Sequence, residues 1–295
     1  MSAATPVHAA FLRGMPLPRH EEGGDKDARG SVLVAGGSRE VPGAVLLSGT
    51  AALRAGAGRL RLAICAGMAP ALALAVPEAR VIGLPETPAG GIAAAAAPLL
   101  LRYGAAARAL VLGPGMTGGP EADAMVAALL HRLSGPALVL DAAALSPLMA
   151  CRDALRRHAG RAIITPHDGE MARLLGIPRG DVQADPLGAA RQAAALLQVV
   201  VVMKGGCTKI VSPEGEAWSC GQGNVGLATS GSGDVLSGII AGLLARGATP
   251  VQAAIWGVYA HGEAGQRLAR AQGLVGYLAR ELPAEVPRIL AELSD

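Results

Sequence analysis

Apolar positions along this chain fall into two registers. Short unbroken runs at Ser31–Ala35, Ala109–Leu112, Ala137–Leu140, Ala162–Ile164 and 199–203 each stop abruptly at Gly, Asp, Thr-Pro or Lys. Between them lie longer Ala/Leu-rich stretches at 45–55, 122–133, 187–197, 235–244 and 251–268. Continuous apolar strands alternating with helices predict a parallel sheet covered on both faces. Two further runs, Thr208–Val211 and 216–219, flank Pro213-Glu214-Gly215 and predict a hairpin near an antiparallel edge. The simple-composition segment 93–97 reads as helix. Residues 1–29 read as an irregular N-terminal segment ending in the charged stretch 21–29. No Pro/Ser linker, charge block or repeat divides the chain, so residues 1–295 read as one domain.

Composition sharpens this picture. With 295 residues and 51% apolar content, the chain can bury a sizeable core without a disulfide or metal staple. Aromatics are only 2%, so that core must be built from Ala, Leu, Val and Ile. The 41 glycines are roughly twice the usual share, which implies tight turns or backbone lying close to a ligand. Net charge is +3, with no basic run interleaved with aromatics, which argues against nucleic acid as a partner. Cys65, Cys151, Cys207 and Cys220 have neither CxxC nor metal-finger spacing and read as reduced thiols of a cytoplasmic protein. Residues 1–20 do not read as a signal peptide, and the apolar runs 91–101 and 193–203 are too short to span a bilayer, so no membrane partner is expected.

The candidate chemistry lies at the strand ends. Ligands of open parallel sheets bind at the carboxyl ends of strands, so several motifs placed there predict a shared crevice. The strongest is 221–238, GQGNVGLATSGSGDVLSG. Gly231, Ser232 and Gly233 precede a helical run, where small residues let backbone N–H groups face an anion. Asp234 falls in the first helical turn, favoured there by the helix dipole. The plain alternative is a helix start capped by Ser232. Asn224, Thr229 and the extra glycines extend the pattern beyond a bare cap.

Lys204-Gly205-Gly206-Cys207-Thr208 follows a strand and has residues suited to phosphate, but lacks Walker A spacing. Its alternative is a turn with a solvated Lys. Gly36-Gly37-Ser38 lacks the third glycine of a dinucleotide fingerprint, and Gly113-Pro114-Gly115 reads equally as a rigid turn. The segment 165–170, TPHDGE, reads as a helix entry capped by Thr165 or Asp168. His167 taken alone reads as structural, and Glu170 is the candidate for indirect Mg²⁺ binding through water or phosphate. No GxSxG elbow marks a hydrolase nucleophile.

Taken in order, these segments resemble the nucleotide-dependent NAD(P)H-hydrate dehydratases, a branch of the ribokinase-like superfamily. The resemblance runs from about Gly30 to Gln266. It rests on GSVLVAGGSREVPGAVLLSGTAALRAGAG at 30–58, GPGM at 113–116, LDA at 140–142, ITPHDGE at 164–170, KGGCT at 204–208 and NVGLATSGSGDVLSG at 224–238. It implies a ribokinase-like three-layer α/β/α sandwich with a mostly parallel central sheet. The implied activity is nicotinamide cofactor repair. ADP phosphorylates the ring hydroxyl of (6S)-NAD(P)H hydrate, and elimination gives NAD(P)H with release of AMP and phosphate. Mg²⁺ and ADP are implied with it, as is a homo-oligomer, tetrameric by resemblance. The absence of a preceding epimerase domain is similar to the stand-alone bacterial form.

By the same resemblance Asp234 is the base toward the ring hydroxyl, and Gly231, Ser232 and Gly233 form an anion hole. Lys204, Gly205, Gly206, Cys207, Thr208 and Gly233 match nucleotide contacts, while Ala44, Gly115, His167 and Asp234 match hydrated-cofactor contacts. Ser230 and Ser232 stand where Gly and Thr are usual. Glu40-Val41 replaces an aromatic, and Lys26-Asp27 replaces Lys-Gly; both bear on substrate packing. Two alternatives share the fold: a kinase for a vitamin precursor or sugar, and a non-catalytic nucleotide-binding protein. The PGA/ALRAGAG and ITPHDGE segments argue against the first, and Asp234 against the second.

Overall fold

The short apolar runs become seven of the ten strands that the described residues place in one sheet. The computed structural model describes residues 3–19 and 25–294. The strands are β1 (Thr5–Pro6), β2 (Ser31–Ala35), β3 (Arg59–Cys65), β4 (Ala79–Leu84), β5 (Ala109–Leu112), β6 (Ala137–Leu140), β7 (Ala162–Ile164), β8 (Val200–Met203), β9 (Thr208–Val211) and β10 (Ala217–Cys220). The helices are α1 (Ala9–Arg13), α2 (Gly43–Arg54), α3 (Ala69–Ala75), α4 (Ala97–Gly104), α5 (Pro120–Arg132) and α6 (Arg152–Arg156). They continue as α7 (Asp168–Leu175), α8 (Arg179–Ala184), α9 (Pro186–Leu197), α10 (Ser232–Ala245), α11 (Pro250–Gln272) and α12 (Leu282–Ser294).

The sheet order is β1-β10-β9-β8-β7-β6-β5-β2-β3-β4. Every pair from β8 across to β4 is parallel, and the β8-β9 and β9-β10 pairs are antiparallel, as the predicted hairpin requires. Alternate residues of each strand feed opposite faces. Val32, Val34, Val111, Val139 and Ile163 pack with α10 and α11, whereas Leu33, Ala35, Leu110, Leu112 and Leu138 pack beneath α4 and α5. Helices therefore cover both faces, giving three α/β/α layers.

The irregular reading of 1–29 needs correction. Residues 20–24 lie outside the described set, but β1 and α1 precede them. β1 adds to β10 in parallel, Thr5 opposite Trp218. The following segment is tied to α11, where Trp256 Nε1 donates to the Met15 carbonyl at 2.9 Å. The departure at Lys26-Asp27 lies at the other end of the sheet from the strand-end motifs. Asp27 pairs with Arg59 at 2.7 Å at the start of β3, the end of the sheet opposite the strand carboxyl termini.

α10 is the central helix of its layer. Only Gly233 and Asp234 of its 14 residues escape burial. It lies against α2 through glycines: a Cβ on Gly238 would stand 2.1 Å from the Ser48 carbonyl oxygen, and one on Gly242 2.5 Å from that of Ala52. Gly238→Ala should therefore force the two helices apart and cost about 2 kcal/mol. Scanning calorimetry reads this as a lowered Tm, and an unchanged Tm would show that α2 gives way freely.

Candidate active site

The sheet order lines up the strand-end motifs in space. Along the carboxyl edge come the Lys204–Thr208 turn after β8, residues 165–170 after β7, Asp141 after β6, Gly113–Gly115 after β5, and 36–44 after β2. Four strand spacings of ~4.8 Å make this edge about 19 Å long, enough for two ligands end to end. The loops interlock. The Gly37 N–H donates to the Pro114 carbonyl at 2.6 Å. Gly113 has φ 119°, and a Cβ there would fall 1.8 Å from the Asp141 carbonyl oxygen, so only glycine lets β5 and β6 end side by side.

α10 aims its N-terminus at the middle of this edge, packing over β2, β5 and β6. Its N-cap is Gly231 with φ 89°, with no side-chain cap bond, so the alternative reading of Ser232 as a cap does not hold. The Ser232 hydroxyl instead lies 2.9 Å from His261 Nε2 on α11. The Ser232 N–H donates to the Thr229 carbonyl at 3.3 Å, while the other first-turn N–H groups have no intrahelical acceptor and supply positive potential at this point.

A cluster of charges surrounds the helix start. Lys204 Nζ lies 2.9 Å from Asp141 Oδ1 and 3.6 Å from Glu170 Oε2. It is not the solvated turn lysine of the plain reading. Burial disfavours its charge, yet Asp141 and Glu170 outweigh that and hold its pKa above the ordinary lysine value. A Cβ on Gly233 would come within 3.5 Å of Lys204 Nζ and 4.0 Å of Asp141 Oδ2. Asp234, the next residue, is pushed up to about 6 by burial and by repulsion from Asp141, with Lys204 pulling the other way. The result is a carboxylate able to exchange a proton near neutrality.

The TPHDGE helix entry is capped differently from expectation. Neither Thr165 nor Asp168 is the N-cap of α7; His167 is. Its Nδ1 accepts from the N–H groups of Gly169 and Glu170, and Glu170 Oε2 accepts from the His167 N–H at 2.8 Å. Asp168 is held down to about 2, chiefly by hydrogen bonds from Arg179 and Gln183.

An open cleft of about 1270 Å³ lies beside this cluster. The Lys204–Thr208 turn, His167, Ser232, Gly233 and the loop 222–229 line it. Ala44 and Gly115 are not on its wall. They meet each other at the β2 and β5 ends of the edge, where a Cβ on Gly115 would stand 2.7 Å from that of Ala44. Thus the nucleotide-type residues and His167 share one cavity, and Ala44 with Gly115 marks the other end of the edge.

The structure adds residues that the sequence did not single out. Asp141 anchors Lys204; the sequence marked it by its place at a strand end and within the LDA segment, but gave it no role. His261 carried no signal beyond its helical stretch. Burial, with a smaller push from Lys204, lowers it to about 4. Asn224 was visible, but not its geometry. Its Oδ1 accepts from the Tyr277 hydroxyl at 2.8 Å and the Gly226 N–H at 2.9 Å, leaving a buried Nδ2 without a protein partner at the cleft wall. Among the described residues, no group of three or more His, Cys, Asp or Glu is arranged to hold a metal ion, and no helix is long and apolar enough to cross a membrane. The four cysteines are free thiols.

A mostly parallel sheet between helical layers, with a glycine-started helix N-terminus above the carboxyl edge, defines the ribokinase-like class. A solved ribokinase-like superfamily protein from Enterococcus faecalis superposes with a TM-score of 0.83 at 25% identity, covering 99% of this chain and 96% of that one. The ADP/ATP-dependent NAD(P)H-hydrate dehydratase from Bacillus subtilis, co-crystallized with ATP/Mg²⁺, superposes with a TM-score of 0.81 at 29% identity, covering 98% and 99% of the two chains. Within the class, the family model described as NAD(P)H-hydrate dehydratase matches residues 32–288. An ADP-dependent (S)-NAD(P)H-hydrate dehydratase from Xanthomonas campestris is 48% identical over 288 residues, 97% of this chain and 96% of the relative. The chain belongs to the NAD(P)H-hydrate dehydratase family.

Proposed function

We propose that this chain is an ADP-dependent (S)-NAD(P)H-hydrate dehydratase that repairs hydrated nicotinamide cofactor. The observation that carries the reading is Asp234: a half-buried carboxylate with a raised pKa, at a helix N-terminus, midway along an edge long enough for two ligands. Asp234 takes the proton of the ring hydroxyl as that oxygen bonds to the β-phosphorus of ADP, and the bond to AMP breaks. The phosphorylated ring then loses phosphate together with a proton from the adjacent carbon, which restores the double bond. Backbone N–H groups at Gly231, Ser232 and Gly233 receive the transferring phosphoryl group; such chemistry depends chiefly on positioning and charge stabilisation.

The nucleotide lies in the cleft against Lys204, Gly205, Gly206, Cys207, Thr208 and Gly233, with the Asn224 amide as a ready donor. The hydrated cofactor lies toward Ala44 and Gly115, and His167 meets it from the cleft side, where the two ligands adjoin. Asp141 and Glu170, the latter a candidate for indirect Mg²⁺ binding, are engaged by Lys204 and backbone N–H groups, and among the described residues no cluster of three or more His, Cys, Asp or Glu is arranged to hold a cation, so Mg²⁺ would come with the nucleotide phosphates. The same reading takes the chain as one domain, cytoplasmic and tetrameric; light scattering checks the last.

Incubating the protein with hydrated NADH, ADP and Mg²⁺ should restore reduced-nicotinamide absorbance. No recovery with ADP or ATP, or a stable phosphorylated product from a panel of small alcohols, would overturn the reading in favour of a kinase. The base must be ionised to act, so kcat/KM should fall as pH drops through about 6. A profile flat down to about pH 5 would remove Asp234 from that role.

A further inference from the structure

Ser232 opens α10, yet its hydroxyl does no capping. The residue is 5% exposed, and it faces both α11 and the cleft. A serine hydroxyl has one proton to donate and two lone pairs. One of these valences is taken by His261 Nε2 at 2.9 Å.

The imidazole is held at that point by the backbone around it. A Cβ on Gly257 would fall 2.6 Å from Ile240 Cγ1 of α10, and one on Gly262 would fall 2.3 Å from the Gln222 carbonyl oxygen. Small residues on either side of His261 thus press α11 against both α10 and the 222–229 loop. His261 stands at the seam of the three and itself lines the cleft. When a phosphoryl anion sits at the α10 N-terminus, the favoured hydroxyl orientation turns its O–H toward the anion. The Ser232 oxygen then takes its second hydrogen bond from an imidazole Nε2–H.

We infer that His261 aims the Ser232 hydroxyl at the transferring phosphoryl group, making Ser232 a side-chain donor of the anion hole and His261 its positioning residue. This rests on the dehydratase reading for the identity of the transferred group. Ser232 should tolerate Thr, which keeps the hydroxyl, and not Ala, which removes it.

Turnover and nucleotide binding test the inference separately. S232A and H261L should each lower kcat about 100-fold with little change in KM for the hydrate. The double variant should fall no further, because both changes delete one hydrogen-bonded unit. H261Q, whose amide can donate from a similar place, should recover most of the loss, as should S232T. In calorimetric titrations the wild-type preference for ADP over AMP should shrink in S232A and H261L alike. Losses that multiply in the double variant, full kcat in S232A, or an unchanged ADP-to-AMP preference would overturn it. A wild type that binds ADP but turns over no hydrate would sink the dehydratase reading, and the titration would then decide this inference alone.

Discussion

Replacing Asp234 by Asn should give a protein that is more stable and almost inactive. The amide cannot take the hydroxyl proton, and loss of a positioned base typically costs 10²–10⁴ in rate, so kcat should fall about a thousandfold. The stability change follows from the raised pKa. In the folded protein Asp234 titrates at about 6, against an ordinary value of 3.8. Between those values the folded state binds more protons than the unfolded chain, so stability declines as pH rises through the window. At neutral pH the full cost of holding the carboxylate is present, on the order of 1–3 kcal/mol. Asn has no such cost. Calorimetry should show a higher Tm for D234N than for wild type near neutral pH, and the gap should close below about pH 4. A lower Tm at both pH values, or kcat within a few-fold of wild type, would contradict the assignment.

Lys204→Met should do the reverse, losing stability and moving the pH profile. Asp141 keeps only 3% of its side chain exposed, and Lys204 is the cation that compensates it. Removing one partner of a buried pair leaves an uncompensated charge, worth about 3 kcal/mol. Lys204 also draws the Asp234 pKa downward, so without it the acid limb of kcat/KM should move to higher pH. ADP affinity should fall as well. A variant with weaker ADP binding but an unmoved acid limb and Tm would mean that Lys204 serves the nucleotide alone.

Much of this site could be read from the sequence because it is built from local rules. The runs Ser31–Ala35, Ala109–Leu112, Ala137–Leu140 and Ala162–Ile164 coincide with β2, β5, β6 and β7, since interior parallel strands are apolar on both faces. β3 and β4 were not legible in the same way. β3 carries Arg59 and Arg61 among its apolar residues, and β4 is an edge strand whose Arg80 lies over the Tyr103 ring. The helix start at 231–234 was visible because glycine before an acidic first turn has few other uses. Pairings across the fold were not. Nothing local links Lys204 to Asp141, 63 positions away, or Ser232 to His261, 29 positions away. The α7 cap shows the limit of propensity: Thr165 and Asp168 are the favoured residue types, but Thr165 is buried with its hydroxyl turned to the Leu140 carbonyl, leaving His167 to cap.

The two-residue strand β1 has a consequence out of proportion to its length. Without it, β10 would form the margin of the sheet, offering a row of unpaired N–H and C=O groups near the Lys204–Thr208 turn. Such a margin is a template for strands of other molecules. β1 occupies it, and Pro6, having no N–H, offers the next strand an incomplete ladder. Two residues, Thr5 and Pro6, thus turn an open margin of β10 into a covered one.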